Sequence, residues 1–283
     1  MEDHPISVRP AYEQPSFLES DEGRPLRILA EYLEPLERFR RAGVHDTIVF
    51  FGSARLRPDD PLGHYYDEAR ELARLVTEWS KSLPSHAHRY VVCSGGGGGI
   101  MEAANRGASE AAGKTIGLNI SLPREQRRNP YITHELLFEF HYFFMRKLWF
   151  AHLARALICF PGGLGTIDEL TEILTLAQTR KLSRSIPVIL YGTSYWKEVL
   201  SFEALVRHGM IDAADVDLFQ FADDPATAAL PRGGGRLDPR SHQGLAQGSP
   251  GRGRIESASW VIVVVTYRQP LGSAHASPRG AVG

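Results

Sequence analysis

The chain has 283 residues, of which 43% are hydrophobic, and its formal net charge is −1 with a pI near 6.8. That apolar fraction is sufficient for a buried core, in one large α/β domain or in two small ones. The near-neutral charge provides no overall attraction to nucleic acid or to an anionic membrane, so we expect neither as a partner. A bound anion must therefore be held by local groups.

The start of the chain and its two cysteines indicate where in the cell the protein is expected. Neither a basic n-region nor an apolar h-region is present at the start, and no uncharged apolar run approaches the length of a membrane span. Cys93 and Cys159 lie within apolar, strand-like runs, and we interpret them as packing residues in a reducing compartment. The histidines lack metal-ligand spacing. We therefore expect a cytoplasmic protein without a metal or cofactor.

Residues 1–45 precede the main pattern and divide into two parts. Residues 1–23 are polar and contain proline, so we predict a flexible N-terminal arm. Within residues 24–45, apolar side chains recur at helical spacing from 25 to 42, which predicts an N-terminal helix that Pro25 can begin and Gly43 can close. The pair Glu34-Pro35 predicts a break or kink inside this helix.

Residues 46–230 alternate between strand-like and helix-like segments. This alternation predicts a Rossmann-like, doubly wound α/β fold with a mostly parallel sheet and helices on both faces. Ligands of such folds bind outside the carboxyl ends of the strands. The predicted strands are 47–51, 90–93, 115–119, 136–140, 156–160 and 187–191.

Residues 231–283 are a low-complexity tail rich in glycine, serine, proline and arginine. Seven arginines accompany two acidic residues there, so the tail could bind RNA or an acidic partner. We favour a disordered extension or an out-of-frame terminus, because the composition is unsuited to a packed core. The helix predicted to start at Pro225 stops by Leu230.

Two glycine-rich loops follow predicted strands and precede predicted helices. Residues 161–169, Pro-Gly-Gly-Leu-Gly-Thr-Ile-Asp-Glu, come after strand 156–160, and five consecutive glycines, 95–99, come after strand 90–93. Glycines let backbone amides approach an anion closely, and the dipole of the following helix favours negative charge there. Neither loop is a P-loop or a dinucleotide fingerprint. We predict that both loops border one anion-binding crevice.

Arg146 and Lys147 are the candidate cations of this crevice. They stand among large apolar residues at the start of the helix that leads into strand 156–160. One of them could reach the crevice, or both could face water at the helix surface. Arginine is better suited than lysine to a bidentate grip on phosphate or carboxylate.

Glu169 is the candidate catalytic carboxylate, and it also has a structural interpretation. It follows Thr166 by three residues, the spacing of a capping box, so it could either cap the helix or act on a ligand. Helical geometry puts Glu172 on the same face as Glu169, as a possible second carboxylate, and turns Asp168 toward solvent.

These residues resemble the motifs of the Lonely Guy (LOG) family, members of which were often labelled lysine decarboxylases. Residues 161–169 resemble its PGGxGTxxE signature, and Arg146-Lys147 resembles its Met-x-x-Arg-Lys signature. The 23-residue separation between Arg146 and Glu169 is the family's spacing. Residues 48–55 and 94–108 resemble the family's first two strand and loop regions, so the resemblance extends over roughly residues 46–225.

The resemblance implies hydrolysis of the N-glycosidic bond of AMP, or of a cytokinin riboside 5′-monophosphate, to free base and ribose 5-phosphate. It also implies a homodimer, and Arg146 and Glu169 as the catalytic pair. A carboxylate near C1′ can stabilise an oxocarbenium-like centre and deprotonate water. The residues expected to bind phosphate or ribose are Gly162, Gly163, Gly165, Thr166, Gly95, Gly96, Gly97, Ser53 and Lys147.

The alternative is a binding function without turnover. A carrier or sensor of a phosphorylated ligand, similar to molybdenum-cofactor carrier proteins, would use the same crevice. The presence of both Arg146 and Glu169 favours catalysis. A pyridoxal-phosphate lysine decarboxylase is disfavoured, because neither Lys114 nor Lys147 has a recognisable Schiff-base setting.

Overall fold

The structure, a computed structural model, describes residues 9–84, 87–122, 127–182 and 186–229. Within these ranges seven strands form one sheet, and every neighbouring pair is parallel. The strands are β1 (Thr47–Phe51), β2 (Val91–Ser94), β3 (Thr115–Ile120), β4 (Leu137–Phe140), β5 (Ala154–Cys159), β6 (Val188–Tyr191) and β7 (Phe219–Ala222).

Helices connect the strands. The α-helices are α1 (Pro15–Leu18), α2 (Arg24–Arg41), α3 (His64–Ser82), α4 (Ile100–Glu110), α5 (Phe143–Leu153), α6 (Leu164–Gln178), α7 (Thr193–Val199), α8 (Phe202–Arg207) and α9 (Pro225–Ala229). Short 3₁₀ helices cover Ala11–Glu13, His134–Leu136 and Ala213–Leu218. No helix in these ranges is both long and apolar enough to cross a membrane.

The strand order, β4-β3-β2-β1-β5-β6-β7, makes the fold doubly wound. The chain builds outward from β1 through β2 and β3 to β4, then returns to the other side of β1 and builds outward through β5 and β6 to β7. The direction of winding reverses between β1 and β5, which is where ligands of open α/β sheets bind. The predicted Rossmann-like α/β fold is therefore confirmed.

Each face of the sheet buries its own hydrophobic core. Alternate residues of β1 point to opposite faces, so Val49 and Phe51 belong to one core while Ile48 and Phe50 belong to the other. The first core packs against α2, α5 and α6, and the second packs against α3 and α4. Because both faces are covered, β1, β2, β3 and β6 are buried at every residue rather than at alternate residues.

The N-terminal helix differs from the sequence prediction at one point. α2 continues through Pro35, where we expected a break. Proline lacks an N–H, which would leave the carbonyl of Glu31 without its helical partner. The indole Nε1 of Trp149 donates to this carbonyl at 3.0 Å, so α5 supplies the missing hydrogen bond. Before α2, residues 9–23 include the short helices Ala11–Glu13 and α1 instead of a wholly irregular arm.

The predicted strands and the last helix agree closely with the structure, and the predicted tail is not described by it. The six predicted strands are confirmed within two residues at each end, whereas β7 was not predicted. The helix predicted from Pro225 begins there as α9, and it packs against α3. The predicted tail, residues 231–283, lies outside the described residues.

Candidate active site

A cavity of about 970 Å³ opens where the winding of the sheet reverses. Its walls come from the residues that follow β1 and β5, from the first turns of α5 and α6, from the end of β3 at Ile120 and Leu122, and from single residues of α4 and α7. Of the residues that the sequence singles out, it brings together Ser53, Arg146, Gly162, Gly163, Gly165, Thr166, Asp168 and Glu169.

The loop after β5 ends in a helix N-terminus that faces this cavity. We call residues 160–165 the β5 loop. Helix α6 begins at Leu164, and the carbonyl of Gly163 accepts from the amides of Thr166 and Ile167 at 3.0 Å each. Within the described residues, the amides of Leu164 and Gly165 have no backbone acceptor. Free amides at a helix N-terminus form a seat for an anion.

The early start of α6 excludes the predicted capping box. Thr166 is the third residue of the helix and Glu169 the sixth, so both lie inside it rather than at its boundary. Gly163 occupies the N-cap position, and no side chain caps the helix. Glu169 is therefore released from capping, which leaves its carboxylate for another role.

Glycine stands at positions 162, 163 and 165 of the β5 loop and its helix for two different physical reasons. A Cβ on Gly162 would stand 2.2 Å from the Thr166 hydroxyl oxygen, so packing within the protein requires glycine there. A Cβ on Gly163 or Gly165 would meet no protein atom within 4 Å. Because the fold itself does not require these two glycines, the open space beside them is room for a ligand to approach the backbone.

The glycine loop after β2, residues 95–99, is not part of the cavity wall. We call it the β2 loop. The carbonyls of Gly96 and Gly97 accept from the backbone amide and the side-chain amide of Asn129, both at 3.0 Å, and the Gly96 amide donates to the Ser94 hydroxyl. The glycines 95–97 are buried and do not line the cavity. These three glycines, which we expected to bind phosphate or ribose, therefore do not line this cavity.

Arg146 extends from α5 into the cavity, and its side chain is fixed by a hydrogen bond at Nε. Its Nε donates to the Leu118 carbonyl at 2.9 Å, and its guanidinium carbon lies 5.2 Å from the centre of the Phe150 ring. A Cβ on Gly95 would stand 2.6 Å from Nη2, so this glycine provides the space for the guanidinium. Burial lowers the pKa of Arg146 and Glu169 opposes that effect, but an arginine remains charged at any physiological pH.

Glu169 is a buried carboxylate in the wall of the same cavity, only 7% exposed. Burial raises its pKa to about 7, while Arg146 and Lys147 act in the opposite direction. Among the described residues, no side chain donates a hydrogen bond to it. A carboxylate with a pKa near neutrality exchanges protons readily at cellular pH, which suits a general base or acid.

Lys147 is not part of the cavity wall, although we expected it to bind substrate. Its Nζ lies 2.8 Å from Asp168 Oδ2 and 2.9 Å from Glu172 Oε2, so it joins α5 to α6. Asp168 is largely exposed, as predicted, and it lines the cavity mouth. Glu172 does not line the cavity and serves Lys147 instead of acting as a second carboxylate there.

The loop after β1 also contributes to the cavity wall. Ser53 and the exposed Arg55 both line it. Ser53 also joins the two glycine loops, because its amide donates to the Pro161 carbonyl at 2.9 Å and its carbonyl accepts from Ile100 at 3.0 Å. Asn105, by contrast, is buried in a hydrogen-bond network with Ser94 and Asn129.

Sequence reasoning missed the apolar wall and one supporting hydroxyl. Leu56, Leu62 and Phe143 line the cavity, but each stands in a sequence context typical of an ordinary loop or helix residue. The hydroxyl of Tyr195 on α7 donates to the Gly162 carbonyl at 2.7 Å and so supports the β5 loop. Nothing in the sequence around Tyr195 indicates this contact.

Both cysteines are confirmed as packing residues. Cys93 and Cys159 are buried as free thiols, and burial raises the pKa of each thiol. Across residues 9–229, apart from the undescribed gaps, no group of three or more His, Cys, Asp or Glu side chains is placed to hold a metal ion.

The fold and the cavity define a class: a doubly wound α/β protein with an open helix N-terminus, a partly buried arginine and a buried carboxylate at its switch point. Residues 101–230 match the model of the "Possible lysine decarboxylase" family. The chain is 32% identical over 196 residues to a probable cytokinin riboside 5′-monophosphate phosphoribohydrolase, LOG4, from Oryza sativa subsp. japonica, covering 68% of this chain and 78% of that one. It is 25% identical over 165 residues to a cytokinin riboside 5′-monophosphate phosphoribohydrolase from Rhodococcoides fascians, covering 51% and 80%.

The chain therefore belongs to the lysine decarboxylase-like (LOG) family. Among solved structures, a molybdenum cofactor carrier protein from Chlamydomonas reinhardtii is 24% identical with a TM-score of 0.41, covering 64% of this chain and 92% of that one. The molybdenum cofactor binding protein from Rippkaea orientalis is 18% identical with a TM-score of 0.42, covering 65% and 93%. Resemblance at this level says nothing about function.

Proposed function

We propose that this protein hydrolyses the N-glycosidic bond of a purine nucleoside 5′-monophosphate, AMP or a cytokinin riboside 5′-monophosphate, and releases the free base and ribose 5-phosphate. The observation that carries the proposal is the buried carboxylate of Glu169, whose pKa is raised to about 7, in one cavity with Arg146 and the open β5 loop. Similarity to cytokinin riboside 5′-monophosphate phosphoribohydrolases supports the choice of substrate.

The β5 loop binds the 5′-phosphate in this proposal. The free amides of Leu164 and Gly165 donate to phosphate oxygens, and the positive end of the α6 dipole adds to the attraction. The absence of Cβ atoms at Gly163 and Gly165 lets the phosphate approach the backbone. The hydroxyl of Thr166, also in the cavity wall, is a further donor.

Glu169 and Arg146 act on the glycosidic bond. As the C1′–N bond breaks, its electron pair leaves with the purine, which takes up a proton from solvent, and positive charge develops on the ribosyl carbon. Ionised Glu169 stabilises that charge and takes a proton from the attacking water, whose oxygen forms the new bond to C1′. The outer nitrogens of Arg146 orient the ribose, since only Nε is used by the Leu118 carbonyl. The apolar wall at Leu56, Leu62 and Phe143 receives the base.

The test is product formation from AMP and from N6-isopentenyladenosine monophosphate, measured as free base and ribose 5-phosphate. We expect release by the wild-type chain and a loss on the order of 10²-fold to 10⁴-fold in Glu169→Gln. The matched control is Glu102→Gln, because Glu102 also lies early in a helix that follows a glycine loop but does not line the cavity. A wild-type chain that binds AMP without releasing base would favour the carrier function over hydrolysis.

We also propose a homodimer, which the family resemblance implies. Supporting it, α2 exposes Leu26, Leu29 and Leu33, and α5 exposes Phe143, Phe144 and Leu148. A cavity of about 570 Å³ between these helices is lined by Leu29 and Leu148. Exposed apolar patches of this kind are typical of protein interfaces. Light scattering of the eluting protein tests the proposal: we expect a dimer for the wild type, and a monomer of 31.4 kDa for Leu29→Glu.

A further inference from the structure

Lys147 occupies a position between the two helices that carry Arg146 and Glu169. It follows Arg146 on α5 and is 19% exposed. Its ammonium lies 2.8 Å from Asp168 Oδ2 and 2.9 Å from Glu172 Oε2, and these two residues stand four positions apart on α6. Asp168 precedes Glu169 in the chain and Glu172 follows it by one turn. One cation thus links α5 to α6 on both sides of Glu169.

The contact with Glu172 is an ion pair rather than a hydrogen bond. Its Oε2 is buried, and no donor in the described part of the chain meets it with hydrogen-bond geometry. The charge of Lys147 at 2.9 Å is therefore what offsets the burial of this carboxylate. The Glu172 side chain as a whole is 34% exposed, so losing the Lys147 charge breaks a partly solvated ion pair rather than a fully buried one.

We propose that Lys147 is a positioning residue for the proposed reaction: it ties α5 to α6 through Asp168 and Glu172, and it places a positive charge next to the turn of α6 that carries Glu169. This role replaces contact with the substrate, which the cavity geometry does not support for Lys147. The inference rests on the proposed function for its effect on catalysis, but its electrostatic part can be measured without any turnover.

The charged groups around Glu169 come from both helices and from the loop after β1. Arg146 and Lys147 on α5 favour its ionised form, whereas Asp168 and Glu172 on α6 oppose it. Burial opposes it most strongly. At the cavity mouth, Arg55 and Asp60 carry opposite charges and are exposed, so solvent screens both.

This balance predicts that substituting the two members of the Lys147–Glu172 ion pair shifts the pKa of Glu169 in opposite directions. Lys147→Met removes a cation and leaves Asp168 and Glu172 uncompensated, so the pKa of Glu169 rises. Glu172→Gln removes an anion and leaves Lys147 in place, so that pKa falls. Lys147→Arg keeps the positive charge, so the pKa of Glu169 should stay unchanged. We expect each shift to be about 0.5 to 1 unit, because the interacting groups are partly solvated. A purely structural role predicts no such reversal.

The experiment is a pH titration of the full chain labelled with ¹³C in its glutamate carboxyl groups, followed by NMR. The Glu169 resonance is assigned by its loss in Glu169→Gln. Lys114→Met is the matched control, because Lys114 also joins separate segments, pairing with Glu135 at 3.2 Å, but it stands before β3 at the opposite edge of the sheet. We expect the upward and downward shifts described for Lys147→Met and Glu172→Gln, and none in the control.

Kinetics with AMP supply the second readout. We expect Lys147→Met to lower kcat several-fold at pH 7 with a KM changed less than twofold, and Lys147→Arg to restore kcat. A titration of Glu169 that moves in neither Lys147→Met nor Glu172→Gln would overturn the inference. A KM raised tenfold at constant kcat would also overturn it, because it would make Lys147 a substrate ligand. If the wild type proves inactive, the proposed function fails while the titration still decides the role of Lys147.

Discussion

The β2 loop and the β5 loop look alike in sequence, yet they differ in what satisfies their backbone. In the β2 loop, the carbonyls of Gly96 and Gly97 are bonded to Asn129. A Cβ added at Gly95, Gly96 or Gly99 would stand less than 3.0 Å from a neighbouring protein atom. In the β5 loop, the amides of Leu164 and Gly165 have no backbone acceptor among the described residues, and Gly163 and Gly165 border open space. A glycine run after a strand therefore indicates either close packing or ligand access.

The two loops nevertheless serve one cavity. The β2 loop supports Arg146, because Gly95 leaves room for its guanidinium. The β5 loop presents the backbone amides and leads into the helix that carries Glu169. The β2 loop therefore supports a residue of the cavity, whereas the β5 loop provides the surface proposed to bind the phosphate. Substitutions in the two loops should consequently affect different properties.

The largest expected effect is a loss of folding from a change in the β2 loop. Gly99 has a φ of +60°, and an added Cβ would stand 2.1 Å from the Ser53 carbonyl oxygen. We expect Gly99→Ala to lower the free energy of unfolding by at least about 3 kcal/mol, because both the backbone and its neighbour must move. Chemical denaturation measures this change. An unaltered midpoint would show that the β2 loop is not fixed by packing.

The second effect depends on pH and concerns the helix that follows the β5 loop. Because the pKa of Glu169 is about 7 in the folded protein against a reference value of 4.5, its ionisation destabilises the fold. This cost is absent below pH 4.5, grows as pH rises to 7, and is constant above. Glu169→Gln should therefore raise the free energy of unfolding at pH 8 by up to about 3 kcal/mol, and much less at pH 5.

Denaturation at the two pH values decides the matter. Glu102→Gln on α4 is the control, since the Glu102 carboxylate accepts a hydrogen bond from Tyr66 at 3.0 Å and its replacement should not stabilise the protein. Equal effects of Glu169→Gln at pH 5 and pH 8 would contradict a carboxylate that titrates near neutrality.

The smallest expected effect is a loss of affinity without a loss of stability. An added Cβ at Gly165 enters open space, so Gly165→Ala should leave thermal unfolding unchanged or slightly raised. The methyl group would occupy the space through which a phosphate reaches the backbone, and we expect AMP binding about tenfold weaker or more. Calorimetric titration with AMP measures the affinity. Unchanged affinity would place the phosphate elsewhere in the cavity.

Much of the fold follows from sequence because it depends on local pattern. The alternation of apolar strands with helices predicts six of the seven strands. β7 escapes prediction because it is a four-residue edge strand that includes the exposed Gln220. The break expected at Pro35 is absent because Trp149, distant in sequence, supplies a hydrogen bond to the carbonyl of Glu31. That compensation is a tertiary contact, which no local pattern encodes.

The site is predictable in its residue types and less so in its geometry. Arg146 and Glu169 lie in one cavity, as the sequence suggests. The capping box fails because α6 begins at Leu164, two residues before Thr166. The position of Lys147 depends on how α5 packs against α6, and the raised pKa of Glu169 depends on burial by several elements. Each of these is a property of the assembled fold.

The central claim is that the β5 loop holds the 5′-phosphate while Glu169 acts on the glycosidic bond. The most direct test compares the rates at which AMP and adenosine release adenine, in the wild type and in Gly165→Ala. We predict that the wild type releases adenine from AMP at least tenfold faster than from adenosine. Gly165→Ala should reduce this preference mainly by slowing the hydrolysis of AMP. Equal hydrolysis of adenosine and AMP, or a preference that Gly165→Ala leaves intact, would contradict the claim.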